Sequence, residues 1–307
     1  MTVFQASDIG GSQRMLPGAI VALSSILLFT ACSSQETRGP VAPNPAARAV
    51  FDERTGEIRF PIDDYSLIST LADDDLFTTA FNIDLGRCMR AKGFIFRADQ
   101  VPKPSAEDHT ADRRYGLWDV EEAKRLGLSV PNPPFSQVFE DDHVAGGEKW
   151  EAAVENCQAN PSPDFAGVFP TNKELAGDTL PNRIANDAST WAREQPEWNA
   201  AREAWWACLR KDGLTPETSS QSWSVSESKA IPRGEDGVAL PDNPQSIRIA
   251  YSQARCNVET GMARTLGNLE ASYQAALIAK NQAALNVLKT EKTERLKRAR
   301  DFIAKNG

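Results

Sequence analysis

Apolar residues recur at helical spacing in several stretches of this chain, and the first of these stretches ends in a cysteine and a glycine. Phe77, Phe81, Leu85 and Cys88 follow one another at intervals of three or four, so they share one helical face. Gly93 comes five residues after the cysteine, where a glycine commonly ends a helix. The pattern therefore predicts a helix with a cysteine in its last two turns.

The same arrangement returns later in the chain. The stretch "CMRAKGF" at 88–94 resembles "CLRKDGL" at 208–214, and Pro196 before the second copy suits a first helical turn. Two further amphipathic stretches, "EKWEAAVENC" and "IRIAYSQARC", also end in cysteines. These features indicate a duplicated unit: a helix with a Cys-x4-Gly motif, an excursion, and a second helix with a cysteine.

Other segments predict smaller elements. Residues 49–65 alternate around Thr55-Gly56 and predict a β-hairpin. The stretch "WDVEEAKRLGL" predicts a short helix that is capped by Asp119 and ends at Gly127. "FIFRA" suggests a short strand, and polar stretches suggest loops at 128–143 and 160–180 and an excursion at 215–244.

A long helix is predicted at the C-terminal end. From Arg264 to Lys305 apolar residues keep helical steps without a proline. Such a helix would be roughly 63 Å long, whereas a small domain spans roughly 30 Å. We therefore expect either a break near "KTEKTER" or a projecting end. A projecting end would dock on a partner, a second copy or the membrane surface through Leu296, Ala299, Phe302 and Ile303.

Basic residues outnumber acidic ones in this helix from Lys280 onward. The simpler interpretation is a solvated helix whose cations offset its macrodipole. The alternative is a surface for anionic lipid or for a polymer of the cell wall.

The N-terminal stretch indicates export. Arg14 precedes "MLPGAIVALSSILLFTA", an apolar run shorter than the roughly 20 residues that span a membrane. The run leads into "LFTAC", which resembles a bacterial lipobox, although Phe29 stands where leucine is usual. Cys32 is therefore the predicted lipidation site, and the lipid anchor would hold the protein on the extracytoplasmic face of the cell membrane. A free secreted protein and an uncleaved single anchor are the alternatives.

These features predict a mainly α fold, with two disulfide-stapled helical units, a small N-terminal β-hairpin and a long C-terminal helix. The stretch after Cys32 is rich in proline and lacks apolar periodicity, which favours a semi-extended tether. The predicted segments are a signal peptide (1–31), a tether (32–48), a first helical unit with the hairpin (49–180), a second helical unit (181–262) and the long helix (263–307).

Four cysteines remain after Cys32, and exported proteins keep disulfides because their compartment is oxidising. Spacing alone leaves three pairings open. The duplicated unit favours Cys88–Cys157 and Cys208–Cys256, and a different pairing is the alternative. A zinc site is disfavoured because zinc ligands usually come in close pairs, so we predict no metal.

Composition and motifs argue against several classes of function. The 307-residue chain is 41% hydrophobic and carries a net charge of −8, which argues against nucleic-acid binding. No HExxH, GxSxG, P-loop or GxGxxG pattern occurs. The two histidines are His109 and His143, and "FEDDHVAGGE" around the latter is interpreted as a solvated loop rather than a metal or acid–base cluster. We therefore predict no catalytic residue, no enzymatic activity and no cofactor.

Tryptophans form a further pattern. Trp191, Trp198 and Trp205 are spaced by sevens, with Trp206 adjacent. An exposed stripe of this kind could stack on sugars of the cell wall. Aromatic residues at helical spacing are more often core, and Pro196 divides the stretch, so we favour the core interpretation.

Several of these motifs together resemble a group of uncharacterised actinobacterial lipoproteins. The motifs are "GEIRFPIDDY", "CMRAKGF", "YGLWDVEEAKRLGL", the tryptophan-bearing helix before the second Cys-x4-Gly motif, and "YQAALIAKNQAAL". The resemblance covers most of the chain after the tether, and it implies an anchored envelope protein without a particular activity.

The leading functional hypothesis is a non-catalytic binding or accessory subunit of a cell-envelope complex, with an envelope protein or wall polymer as partner. A solute-binding lipoprotein of a transporter is the first alternative, although the chain lacks the expected βα alternation. A cell-wall-modifying enzyme is the second.

Overall fold

The computed structural model describes residues 40–102, 105, 109–130, 132–171, 174, 177–219, 222–234, 237–240 and 242–307. The predicted signal peptide, Cys32 and the first part of the predicted tether lie outside these residues. The described fold is mainly α, with a small hairpin near its start and a long C-terminal helix, as the sequence predicts. Within the described residues no helix combines the length and apolar character needed to cross a membrane.

A two-stranded hairpin opens the fold. Strands β1 (Val50–Phe51) and β2 (Ile58–Arg59) pair antiparallel, with Val50 opposite Arg59 and Phe51 opposite Ile58. The described helices are α1 (Leu71–Ala91), α2 (Val120–Leu126), α3 (Pro134–Ala159), α4 (Leu180–Arg193), α5 (Pro196–Lys211), α6 (Pro244–Thr260) and α7 (Met262–Asn306).

Helix α7 is the axis of the structure. It runs for 45 residues, about 68 Å at 1.5 Å per residue. Its first half packs against α4, α5 and the 3₁₀ turn at Pro61–Tyr65, and α1 lies along its second half. The main core follows from these contacts and buries Leu266, Leu277 and Leu285 of α7. Because neighbours cover the helix along its length, the predicted break near "KTEKTER" does not occur.

The predicted docking segment at the end of α7 belongs to the core, so that prediction was wrong. Ala299 and Phe302 are buried, and Leu296 and Ile303 pack at the edge of the same cluster. The covering residues are Phe77, Ala80 and Ile83 of α1 together with Phe165 and Val168.

The physical reason is the course of α1. Lys292 pairs with Asp73 near the start of α1 at 2.7 Å, and the Arg87 guanidinium, later in α1, lies 5.9 Å from the Phe302 ring. The two helices therefore run parallel, and α1 extends the body beyond the span of a small domain. The apolar stripe of α7 is covered within the chain.

The end of the predicted tether also packs on the body. Val41 is buried, the Asn44 amide donates to the Ser272 carbonyl at 2.9 Å, and the Ala49 amide donates to the Asn268 side chain at 3.1 Å. These contacts attach residues 41–49 to α7, so the assignment of 41–48 to a tether was wrong. A single valine among prolines gives no periodic signal that could have revealed this contact.

Both disulfides are present, and they join the pairs that the duplicated motif predicts. Cys88 bonds to Cys157 and Cys208 bonds to Cys256. The two helix ends are also alike in their caps. Gly93 and Gly213 adopt φ of 81° and 73°. The amide of the next residue donates a 3.0 Å hydrogen bond in both helices, from Phe94 to the Met89 carbonyl and from Leu214 to the Leu209 carbonyl. This is the Schellman arrangement, which needs a left-handed residue that glycine adopts without strain.

Two of the smaller sequence predictions were wrong. The stretch 94–98 forms no strand, and helix α3 begins at Pro134 inside the predicted loop 128–143. The first part of α3 is amphipathic, because Phe135 and Phe139 share a face that packs near Trp150. Gly147, with φ of 59°, bends α3 between its two parts.

The tryptophans are core, as predicted. Trp191 lies on α4, while Trp198, Trp205 and Trp206 lie on α5, and all four side chains are buried in the main core. Pro196 starts α5 and separates the two helices. The rings are therefore not available as an exposed stripe for stacking on sugars.

Candidate functional site

A cavity of about 810 Å³ lies between the turn of the hairpin, helix α2 and the junction of α6 with α7. Each of these elements contributes both apolar and charged side chains. The lining residues are Phe51, Glu53, Arg54, Thr55, Gly56, His109, Trp118, Asp119, Val120, Glu121, Glu122, Lys124, Arg125, Asn257, Val258, Gly261, Ala263 and Arg264.

Aromatic rings provide the apolar part of the wall. Phe51 and Trp118 meet edge to face with ring centroids 5.1 Å apart, an arrangement favoured by the quadrupoles of the rings. The Trp118 indole N–H donates to the Asp112 carbonyl at 2.7 Å, so the ring is buried without an unsatisfied donor. Val120, Val258 and Ala263 complete the apolar lining.

The hairpin turn packs closely against the segment at Ala111 and Asp112. Gly56 has φ of 72°, and a Cβ at this position would lie 2.5 Å from the Ala111 Cα. The Asp112 amide donates to the Gly56 carbonyl at 2.8 Å. Only glycine allows this approach with a left-handed backbone, and the contact fixes the turn at the cavity mouth.

Helix α2 is anchored at both ends. The Asp119 side chain caps the helix by accepting from the Glu122 amide at 2.9 Å. Glu122 is buried and accepts hydrogen bonds from Arg113 and from the Ala111 amide. At the other end, the Leu128 amide donates to the Ser246 hydroxyl on α6 at 2.8 Å. Charged residues of α2 are therefore presented to the cavity from a fixed support.

Asn257 ties the α6–α7 junction to the aromatic wall. Its amide nitrogen donates to the carbonyls of Tyr115 and Leu117 at 2.9 and 3.0 Å, and its oxygen accepts from the Ala263 amide at 2.8 Å. Sequence reasoning missed this residue, since an asparagine within an amphipathic helix gives no signal of contacts some 140 positions away.

A buried polar network continues behind the wall. The Tyr115 hydroxyl donates to Glu270 at 2.7 Å, and Arg114 lies 3.3 Å from the same carboxylate. Burial raises the pKa of Glu270, although the hydrogen bond from Tyr115 and the charge of Arg114 oppose that rise. Burial and the Glu270 charge also raise the pKa of Tyr115 well above its usual range. We assign this network a structural role, because its members do not line the cavity.

Ion pairs occupy part of the rim. Glu53 pairs with Arg264 at 2.8 Å, and Glu121 pairs with Lys124 at 2.7 Å. The Arg264 guanidinium also lies 5.1 Å from the Phe51 ring centroid, within range of a cation–π contact. These pairs neutralise two carboxylates and two cations of the lining.

Two arginines of the rim stand apart from these pairs. Arg54 is 76% exposed and approaches Asp52 to only 4.0 Å, at the limit of an ion pair. Arg125 is exposed, and among the described residues no carboxylate lies within 4.0 Å of its guanidinium.

One of the two histidines, His109, lies at the cavity. Its Nε2 is 3.4 Å from Asp75 Oδ2, and the side chain is mostly buried. Nearby, burial and the charge of Asp75 raise the pKa of Asp74. Among the described residues no group of three or more His, Cys, Asp or Glu side chains is arranged to hold a metal ion.

The second histidine lies elsewhere. His143 is on α3, and within its acidic stretch Asp142 is buried and bonded to Arg97 at 2.7 Å. The interpretation of this stretch as a solvated loop was wrong, because Asp142 ties α3 to the segment after α1.

The basic residues at the end of α7 are largely paired within the chain. Lys289 pairs with Asp64, Lys292 with Asp73, Arg295 with Glu174 and Lys305 with Asp164, at 2.7 to 3.4 Å. This pairing reduces the positive potential that an anionic lipid or polymer would meet, so the cavity is the stronger candidate site.

No family model, curated protein or solved structure matches this chain. The resemblance to actinobacterial lipoproteins therefore stays a prediction. The four disulfide cysteines and the residues of the predicted docking segment do not line the cavity. The site itself is concave, and its lining combines apolar and charged side chains.

Proposed function

We propose that this protein is an extracytoplasmic lipoprotein, anchored through Cys32, whose folded body binds a small ligand without catalysing a reaction. The lipobox-like sequence at Cys32 supports the anchor. The two disulfides support an oxidising compartment, because cytosolic thiols are kept reduced.

The observation that carries the binding function is the cavity itself. Its volume of about 810 Å³ falls within the ~300–1,000 Å³ range of small-molecule sites. It combines an aromatic and aliphatic wall with several charged groups, the usual composition of such sites. The supports described above hold it in place before any ligand arrives.

The cavity also favours a binding lipoprotein over an accessory subunit that docks on a partner. An accessory subunit that docks through the end of α7 is no longer favoured, since that surface is covered within the chain. A binding lipoprotein gains support, and delivery of the ligand to a transporter is one use of such a protein.

The binding function is tested by blocking the cavity. Val258 is 59% exposed at the cavity wall, so Val258→Trp should fill the space without disturbing the core. Val287, 58% exposed on α7 and outside the lining, gives the matched control Val287→Trp. A library of small molecules is screened by the unfolding temperature of the full chain in non-ionic detergent, because a ligand that binds only the folded state raises this temperature.

We expect compounds that raise the unfolding temperature of the unmodified chain and of Val287→Trp, but not of Val258→Trp. If no compound raises it, or if all three chains respond equally, the cavity is not a binding site and the proposal fails.

The anchor is tested separately. Cys32→Ala should abolish labelling by a fatty-acid probe and release the protein from the membrane fraction. The double variant Cys88→Ala/Cys157→Ala serves as the cysteine control and should keep its label. Equal labelling of Cys32→Ala and the unmodified chain would refute the anchor.

A further inference from the structure

We propose that the ligand of the cavity is a small organic anion with an apolar body, held at its anionic group by Arg54 and Arg125. This inference rests on the proposed binding function and adds the chemical class of the ligand. It follows from which charged groups of the lining are already engaged and which are not.

Each carboxylate among the described lining residues already has a partner. Glu53 and Glu121 pair with Arg264 and Lys124, as described above. Asp119 caps α2, and Glu122 is buried and bonded to Arg113. A cationic ligand would have to displace one of these partners, which costs part of the binding free energy it gains.

The two remaining arginines are in a different position. Arg54 has only a distant contact with Asp52, and Asp52 is itself engaged by the amides of Arg54 and Thr55. Arg125 lies one turn after Glu121 on α2, but the Glu121 carboxylate is bonded to Lys124 at 2.7 Å. Arg125 can therefore bind an anion without losing an ion pair among the described residues, and Arg54 would give up only its 4.0 Å contact with Asp52.

Guanidinium groups suit this task. A planar fork of N–H donors matches a carboxylate, sulfonate or phosphate, and charge-assisted hydrogen bonds are stronger than neutral ones. The two arginines come from separate elements, the hairpin turn and α2. Both line the same cavity, so we expect them to bind the anionic group together.

The apolar body of the ligand follows from the remaining lining. Phe51, Trp118, Val120, Val258 and Ala263 offer rings and methyl groups. Val258 is 59% exposed, so a ligand that covers it removes apolar surface from water. A purely polar anion would leave this surface wet, and so the ligand should carry an aromatic ring or a short hydrocarbon chain.

The test compares three probes of one shape and different charge: naphthalene-2-sulfonate, neutral naphthalene-2-methanol and cationic naphthalene-2-methylammonium. Binding to the full chain in non-ionic detergent is measured by isothermal titration calorimetry. We expect the sulfonate to bind at least about tenfold more tightly than either analogue, since one charge-assisted hydrogen bond is worth about a factor of ten.

Variants locate the anionic group. Arg125→Gln should weaken sulfonate binding about tenfold, and the double variant Arg54→Gln/Arg125→Gln should remove the preference for the anion. Arg300→Gln is the matched control, because Arg300 is likewise exposed on a helix and lies outside the cavity lining. It should bind the sulfonate like the unmodified chain.

The outcomes separate this inference from the proposed function. If neutral or cationic probes bind as well as the sulfonate and Val258→Trp blocks them, the cavity binds ligands but the preference for anions is refuted. Equal loss of sulfonate affinity in Arg125→Gln and Arg300→Gln would also refute the anion preference. If no probe and no library compound binds in a way that Val258→Trp blocks, the binding function itself falls.

Discussion

The two disulfide-bonded helix pairs, α1–α3 and α5–α6, share a local motif but differ in what surrounds them. In both pairs the first helix ends in a cysteine-containing turn and a left-handed glycine. The α5–α6 pair lies in the main core, where Trp205, Leu209, Ile249 and Cys256 are fully buried. The α1–α3 pair builds a separate small cluster of its own.

Helix α3 depends strongly on that small cluster. Apart from α1, the described element it packs against most is the short turn at Ala98–Gln100. Trp150 holds it there through an indole hydrogen bond to the Ile95 carbonyl at 2.8 Å. Helices α5 and α6, in contrast, both contact α7 as well as each other.

A local motif fixes the end of each helix, while the elements packed around the helix decide how much of the fold depends on it. We therefore expect changes in the α5–α6 pair to affect global unfolding. Changes in the α1–α3 pair should first loosen α3, since elements with few neighbours open at lower free energy than the core.

The largest effect is expected from the cysteines. Removing Cys208 and Cys256 together by alanine substitution should lower the free energy of global unfolding by about 4 kcal/mol, the chain-entropy value for a loop of this length. The matched double variant Cys88→Ala/Cys157→Ala opens a loop of similar length, since 69 positions separate its cysteines against 48 in the other pair, but it should act mainly on α3. Chemical denaturation measures the free energy of global unfolding, and amide hydrogen exchange measures local opening of α3. Equal global losses without selective exchange in α3 would contradict the comparison.

The buried tryptophans should show the same contrast. Trp205→Ala is expected to cost about 3 kcal/mol of global stability, because it removes a large side chain that is completely buried. Trp150→Ala removes a ring buried almost as completely, yet its main result should be faster exchange in α3. If Trp150→Ala lowers global stability as much as Trp205→Ala, α3 unfolds together with the body.

A smaller effect is expected from the carboxylate that forms an ion pair with an arginine at each helix pair. Asp142 of α3 is almost fully buried and bonded to the side chain and the amide of Arg97. Asp142→Asn should destabilise the α3 region by about 2 kcal/mol, because a neutral amide replaces the buried carboxylate that accepts charge-assisted hydrogen bonds from Arg97. Asp212, which pairs with Arg255 at 2.5 Å, is partly exposed, so Asp212→Asn should cost about 0.5 kcal/mol. Denaturation curves of the two variants decide this comparison, and the reverse order would break it.

The smallest effect is a pH dependence in the α5–α6 pair. Burial alone would raise the pKa of Asp212, but hydrogen bonds from Arg255 and Ser252 outweigh it and lower that pKa. The folded state then binds this proton less readily than the unfolded chain. The stabilisation is present above the unfolded pKa and is lost as the pH falls through the folded pKa. Acid titration of stability should therefore flatten slightly in Asp212→Asn, and identical curves would refute this assignment.

Much of the fold could be predicted from the sequence because its signals act over a few residues. The glycines after Cys88 and Cys208, the cap at Asp119 and the hairpin around Gly56 are all decided by backbone and side-chain rules within a turn. The long proline-free run of α7 is likewise a local property. The disulfide pairing could be predicted because duplication supplied a second copy to compare.

The candidate site could not be predicted in this way. The Phe51–Trp118 ring pair, the hydrogen bonds from Asn257 and the position of Arg125 on α2 bring together residues from the hairpin, α2 and the α6–α7 junction. Among the charged groups of the lining, the sequence marked His109 as a histidine and Asp119 and Arg264 as helix starts, and it placed none of them in a site. A cavity is defined by the faces of distant elements, and no short pattern records which faces meet.

The sequence was enough to predict a mainly helical chain, the ends of most helices, a favoured cysteine pairing and an export-like segment before Cys32. The tertiary structure alone decided that α1 covers the end of α7, that residues 41–49 pack on the body, and that a cavity opens beside α2. The reason is physical. Helix ends and turns are set by hydrogen bonds between near neighbours, whereas burial depends on which apolar faces meet across the chain. Phe77 of α1 and Phe302 of α7 belong to one cluster although more than 200 residues separate them.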